Sequence, residues 1–133
     1  MAKQAVTSIS LQYTPPSAAV NSGAVSYSTT TNYNAQNVGQ IDINPIDAVP
    51  TTWVVPFGSV GQAKVVMIQN STSADVTVRL NAHGADDFKL SSGASFIYSA
   101  PTAPAGIMIS AVSVITTAAP AVTENVNFWV IGD

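Results

Sequence analysis

Residues 63–81, AKVVMIQNSTSADVTVRLN, decide the fold class of this chain. In the second half, apolar residues at 76, 78 and 80 alternate with polar residues, which is the period of a strand with one face in a core and the other in water. The first half is apolar throughout residues 65–68, so we expect a strand that is covered on both faces. Asn, Ser and Thr residues between the two halves favour a turn. The pattern therefore predicts a β-hairpin at the centre of an all-β domain.

Short β patterns separated by turn residues make up the rest of the chain. Turn signals recur about every 8–12 residues, and no helical periodicity of any length is present. This spacing predicts an all-β fold, an antiparallel β-sandwich or jelly roll of about eight to ten short strands with an extended N-terminal segment. A closed barrel would give the same pattern. Further strands are predicted at residues 5–13, 25–33, 41–44, 51–57, 88–90, 94–98, 107–117 and 122–131.

The first forty residues differ in composition from the rest. Residues 17–40 are almost all Ser, Thr, Asn, Ala, Gly and Gln, and Lys3 is the only charged residue before Asp42. We therefore divide the chain into an N-terminal strand and extended polar arm, residues 1–40, and a β-sandwich domain, residues 41–133. The N-terminal part is either an arm that orders on a partner or a long exposed loop of the same domain.

Composition excludes several classes of function. Charged residues make up 8% of the 133 residues, against about 25% in ordinary soluble domains, and this favours large, permanent protein contacts. The four basic residues are scattered, so we expect no nucleic-acid binding. Cysteine is absent, which excludes disulfides, thiolate zinc sites and a cysteine nucleophile. No signal-peptide pattern opens the sequence and no apolar run reaches about 20 residues, so we expect neither secretion nor a membrane span.

Candidate catalytic and metal-binding residues are few. His83, the one histidine, lies near Asp86 and Asp87, but no serine stands in a nucleophile-elbow context. The acidic residues fall mostly at strand ends and turns, where aspartate caps its own backbone. Oxygen ligands cluster in residues 42–47 and 85–87 without the spacing of a calcium loop. We expect no enzyme activity, no cofactor and no metal.

Aromatic residues are the best candidates for an interface. Phe128 and Trp129 are adjacent in a predicted strand, so they face opposite sides and cannot share one core. One of them must meet a second surface, either another subunit or the N-terminal arm. In a carbohydrate-binding module such residues would form an exposed platform, whereas in a plain sandwich they fill the core. The candidate interface residues are Tyr27, Tyr33, Trp53, Phe57, Phe128 and Trp129.

Three segments, VVMIQNSTSADVTVRLN (65–81), DFKLSSGASFIYSAP (87–101) and VNFWVIGD (126–133), resemble the small β-sandwich or jelly-roll capsid decoration (cement) proteins of tailed bacteriophages. The resemblance covers about residues 53–133. It implies a structural protein that is made in the host cytoplasm and lies on the outer capsid surface of the virion. It also implies a homotrimer that binds the major capsid protein and stabilises the shell. The alternative is a tail, baseplate, receptor-binding or carbohydrate-binding β-module of a phage virion.

Overall fold

The computed structural model describes residues 3–13, 23–81, 87–100 and 109–133. In this part of the chain every regular element is a strand, and there are ten. Their bounds are β1 Lys3–Tyr13, β2 Gly23–Tyr33, β3 Ala35–Ile43, β4 Thr51–Val54, β5 Ala63–Asn70, β6 Val76–Leu80, β7 Asp87–Leu90, β8 Ser95–Ser99, β9 Val112–Thr116 and β10 Glu124–Gly132.

Two antiparallel sheets of four strands form the sandwich in the described residues. Sheet I has the strand order β3-β10-β5-β8, and sheet II has the order β4-β9-β6-β7. The remaining two strands, β1 and β2, pair only with each other and form what we call the N-terminal ribbon. The predicted all-β antiparallel sandwich is thus confirmed, whereas the jelly-roll topology stays a prediction.

The core lies between the inner faces of the two sheets. Along β10 the buried residues alternate with half-buried ones, so Val126, Phe128 and Val130 point inwards. The register of sheet I aligns the Phe128 ring with Gly39 on the edge strand β3. A Cβ atom at Gly39 would lie 2.9 Å from Cζ of Phe128, so the ring occupies the space that any larger residue would need. Glycine at position 39 therefore lets a large aromatic side chain fill this end of the core.

The predicted hairpin at residues 63–81 is wrong. Its two arms are real strands, β5 and β6, but β5 pairs with β10 and β8 in sheet I, whereas β6 pairs with β9 and β7 in sheet II. Residues 71–75 carry the chain from one sheet to the other. The first arm nevertheless lies inside its sheet, between two neighbouring strands, as its continuous apolar run predicts.

The buried side chain of Asn70 explains why the chain crosses between the sheets here. Its Nδ2 donates hydrogen bonds to the carbonyl oxygens of Ala74 (2.8 Å) and Leu90 (3.0 Å). Its Oδ1 accepts from the backbone N–H of Thr72 (3.0 Å) and from the Thr72 hydroxyl (2.7 Å). Asn70 thereby binds both the crossing segment and the end of β7 in the opposite sheet. The Asn, Ser and Thr residues build a turn, as predicted, but the turn joins two sheets rather than two paired strands.

The N-terminal forty residues contain more strand than their composition predicts. Residue pairs from Lys3–Tyr33 to Tyr13–Gly23 align along the whole length of the ribbon. The chain then bends at Asn34 and continues as β3, which pairs with β10 over all nine of its residues. The boundary proposed at residue 40 falls inside β3. The strand predicted at residues 25–33 corresponds to β2 of the ribbon.

Candidate interaction surface

The face of sheet I that points away from the core carries an apolar row across all four strands. The registers align Val38 of β3, Trp129 of β10, Met67 of β5 and Ile97 of β8. On one side of this row, the neighbouring row is polar and consists of Gln40, Asn127, Gln69 and Ser95. An apolar row on an outer sheet face needs a cover, because such faces in water normally carry polar residues.

The N-terminal ribbon supplies part of this cover. Residues 5–8 of β1 lie over Val65, Met67 and Trp129, and together with neighbouring residues they enclose a cavity of about 240 Å³. At the base of the ribbon, the Lys64 ammonium donates a hydrogen bond to the carbonyl oxygen of Asn32 (3.0 Å). The ribbon is thus anchored on sheet I, but the cavity shows that it does not fill the space above the apolar row.

The ribbon confirms the expectation about the adjacent aromatic residues. Phe128 is 3% exposed and lies in the sandwich core, whereas Trp129 lies on the opposite face of β10 and lines the cavity under the ribbon. The second surface that Trp129 meets therefore belongs to the same chain.

One face of the ribbon changes character along its length. Close to the sandwich this face carries small side chains, Ala5 and Thr7 on β1 and the fully buried Thr31 on β2. Thr7 lies against sheet I, where its Oγ1 is 3.4 Å from Oγ of Ser99. Further along, the same face carries large apolar side chains. These are Ile9, Leu11 and Tyr27, which are 47%, 60% and 56% exposed.

We call Ile9, Leu11 and Tyr27 the distal ribbon face. Ile9 and Tyr27 are directly opposite each other in the ribbon register, and Leu11 follows two residues after Ile9 on the same side. The other side of the ribbon is mainly polar and includes the hydrogen-bonded pair Ser8 and Ser28. Lys3, at the base, is the only charged residue in the sequences of β1 and β2. The distal ribbon face is therefore apolar, uncharged and uncovered by the described part of its own chain.

The six candidate interface residues lie in different parts of the molecule. Trp53 is half-buried in the edge strand β4, where its Nε1 donates to Oγ1 of Thr116 (3.2 Å), and Phe57 packs against the core. The Tyr33 hydroxyl is within hydrogen-bond distance of Oε1 of Gln36 (3.1 Å) at the base of the ribbon. Phe128 and Trp129 lie in the core and under the ribbon, as described above, and Tyr27 belongs to the distal ribbon face.

Sequence reasoning missed Ile9 and Leu11 as surface residues. The alternation in residues 5–13 placed them on one side of a strand, but the sequence did not show that this side remains uncovered. Val38 and Ile97, at the ends of the outer apolar row, were missed for the same reason, and they are 51% and 40% exposed.

Acidic side chains in the described residues bond to neighbouring backbone and side-chain groups. Oδ2 of Asp47 accepts from the backbone N–H of Asn44 (2.6 Å), which closes the turn after β3. Arg79 and Asp87 face each other across β6 and β7, with the Arg79 Nε 2.8 Å from an Asp87 oxygen. The hydrogen bond from Arg79 lowers the pKa of Asp87, and the same bond raises the pKa of Arg79. These groups stabilise turns and strand pairs.

The catalytic and calcium-binding alternatives centred on His83 and Asp86 lie outside the described residues. Within the described ranges, no group of three or more His, Cys, Asp or Glu residues could hold a metal ion. The same ranges contain no helix long and apolar enough to cross a membrane.

Comparison with known proteins identified no match among family models, curated proteins or solved structures. The distal ribbon face and the outer face of sheet I therefore carry the functional argument.

Proposed function

We propose that this chain is a non-enzymatic structural protein of a phage virion, a capsid decoration or cement protein. It binds the major capsid protein on the outer surface of the head, as a homotrimer, and stabilises contacts between capsid subunits. The observation that carries the proposal is the distal ribbon face, because a two-stranded ribbon with an apolar face in water is marginally stable and requires a partner.

The composition of the surface supports a structural role. Charged residues are 8% of the chain, and interface cores are depleted in charge in the same way. The small share of charge reduces the desolvation cost of a large contact, since few ions have to leave water.

Stabilisation of the shell would follow from mass action. A protein that binds only the assembled shell lowers the free energy of that state relative to free subunits. A trimer that contacts several capsid subunits at once gains further, because its second and third contacts form at a high effective concentration. Either the edge strand β3 or the edges of the ribbon could pair with a strand of the capsid protein.

The positions of the two tryptophans favour a structural role over a carbohydrate-binding module of the tail. Trp53 is held by its hydrogen bond to Thr116, and Trp129 lies under the ribbon. Neither tryptophan thus forms an open platform on which a sugar ring could stack.

Co-sedimentation with phage heads tests the proposal. Fluorescently labelled protein is mixed with purified heads and with purified tails of the phage that encodes it, and both are examined by electron microscopy. We expect saturable binding to heads at regular lattice positions and a higher temperature of DNA release from the decorated heads. Binding to tails alone, binding to neither particle, or specific retention on a glycan array would overturn the proposal.

A further inference from the structure

The distal ribbon face has no cover in the described part of its own chain. Its three large apolar side chains extend the same face of the ribbon whose small residues lie on sheet I. The small residues Ala5 and Thr7 lie beside sheet I. The large side chains of Ile9, Leu11 and Tyr27 suit a second apolar layer. A two-stranded ribbon becomes stable when its apolar face packs on such a layer.

Charge and symmetry indicate what that layer is. The face carries no charge, and apart from Lys3 at the base the strands around it carry only uncharged residues, namely Ser, Thr, Gln, Asn, Tyr, Gly and small apolar residues. A strongly charged partner would therefore leave its own charges unpaired on contact, whereas an identical face would not. Identical faces packed around a common rotation axis cover one another, and such a contact closes on itself, as in the proposed homotrimer, rather than growing into a fibre.

We infer that the distal ribbon face binds the distal ribbon faces of other copies of this chain. The inference deepens the proposed function, on whose self-association it rests, by naming the surface that holds the oligomer together. The sandwich domains then lie outside the ribbon contact, so that their edge strands are free to bind another protein.

Mass measurement on the isolated full chain tests the inference. The double variant Ile9→Ser, Leu11→Ser removes the two aliphatic side chains of the face. Ile46→Ser is the matched control, because Ile46 is 93% exposed in the turn after β3. Sedimentation equilibrium over a concentration series should show an oligomer for the unmodified chain and for the control. The double variant should dissociate with a constant raised by about 100-fold or more.

A monomer at every concentration of the unmodified chain, or an unchanged mass distribution of the double variant, would overturn the inference. The measurement uses the isolated chain without capsids. A negative result therefore refutes the ribbon contact and says nothing about binding to heads. An oligomer that fails to bind heads refutes the proposed function and leaves the ribbon contact in place.

Cross-linking gives a second test that does not depend on removing the apolar residues. The chain has no cysteine, so a single introduced cysteine reports one contact. Tyr27→Cys places a thiol on the distal ribbon face, and Ser28→Cys places one on the opposite side of the same strand. Mild oxidation should join chains through position 27 and leave the position-28 variant largely uncrosslinked. Equal cross-linking of both variants, or cross-linking of neither, would contradict the inference.

Discussion

Replacing Asn70 by alanine tests how the crossing between the two sheets is stabilised. The side chain is fully buried and makes four hydrogen bonds, to three residues of the chain. After truncation, the Thr72 hydroxyl keeps its 2.9 Å bond to the carbonyl oxygen of Ala74. The backbone N–H of Thr72 and the carbonyl oxygen of Leu90 lose their bonds to the amide. The variant thus leaves two backbone groups without the partner that they have in the native chain.

The magnitude follows from the cost of such groups. A buried polar group that loses its partner costs about 1–3 kcal/mol, so the two groups together predict a loss of about 3–4 kcal/mol of unfolding free energy. For a chain of this size that loss corresponds to a fall in Tm of about 10–15 °C. The effect is large because the same side chain holds both the crossing segment and the end of β7.

Urea unfolding followed by circular dichroism measures this loss. Asn127→Ala is the matched control, since the Asn127 side chain makes one exposed hydrogen bond to the described residues, to Oγ of Ser71 (3.1 Å). The loss of this bond should change the free energy of unfolding by no more than about 0.5 kcal/mol. The slope of the transition should stay unchanged in both variants. A loss below about 1 kcal/mol for Asn70→Ala would refute the reasoning, because it would mean that the amide is not needed for the crossing.

Two further substitutions test the packing of the core at Gly39 and the ion pair of Arg79 and Asp87 at the edge of sheet II. Gly39→Ala should lower the free energy of unfolding by about 1–3 kcal/mol, because the added Cβ would lie 2.9 Å from the Phe128 ring. The control Gln40→Ala, on the outer face of the same strand, should be nearly neutral. Equal thermal stability of the two variants would contradict the packing argument. Arg79→Gln should lower stability at neutral pH, and its difference from the unmodified chain should vanish in acid. The ion pair lowers the pKa of Asp87 in the folded state, so its contribution is present above the ordinary pKa of an aspartate and disappears as the pH falls through the lowered value. Urea titrations between neutral pH and about pH 2 measure this, and a difference independent of pH would show that the pair does not act through the Asp87 charge.

Part of the candidate surface could be predicted from local pattern. Because side chains of adjacent strand residues point to opposite sides, the neighbours Phe128 and Trp129 had to meet two different surfaces, and they do. The alternation in residues 5–13 likewise placed Ile9 and Leu11 on one side of a strand. This side of the strand is covered near Ala5 and open near Leu11. The difference depends on where sheet I ends beneath the ribbon, and a local sequence pattern cannot predict that position.

Period-two alternation, turn chemistry and the absence of helical periodicity were enough to predict an all-β antiparallel fold of about eight to ten strands. These properties depend on neighbours in the sequence, so they can be read from it directly. The choice of a sandwich over a closed barrel, in contrast, came from the strand order of the two sheets. The pairing of β5 and β6 could not be read in this way, because a short Asn, Ser and Thr turn serves a hairpin and a crossing between sheets equally well. The choice between them depends on distant groups, namely β10 and β8 on one side, β9 and β7 on the other, and the carbonyl oxygen of Leu90 that the Asn70 amide reaches.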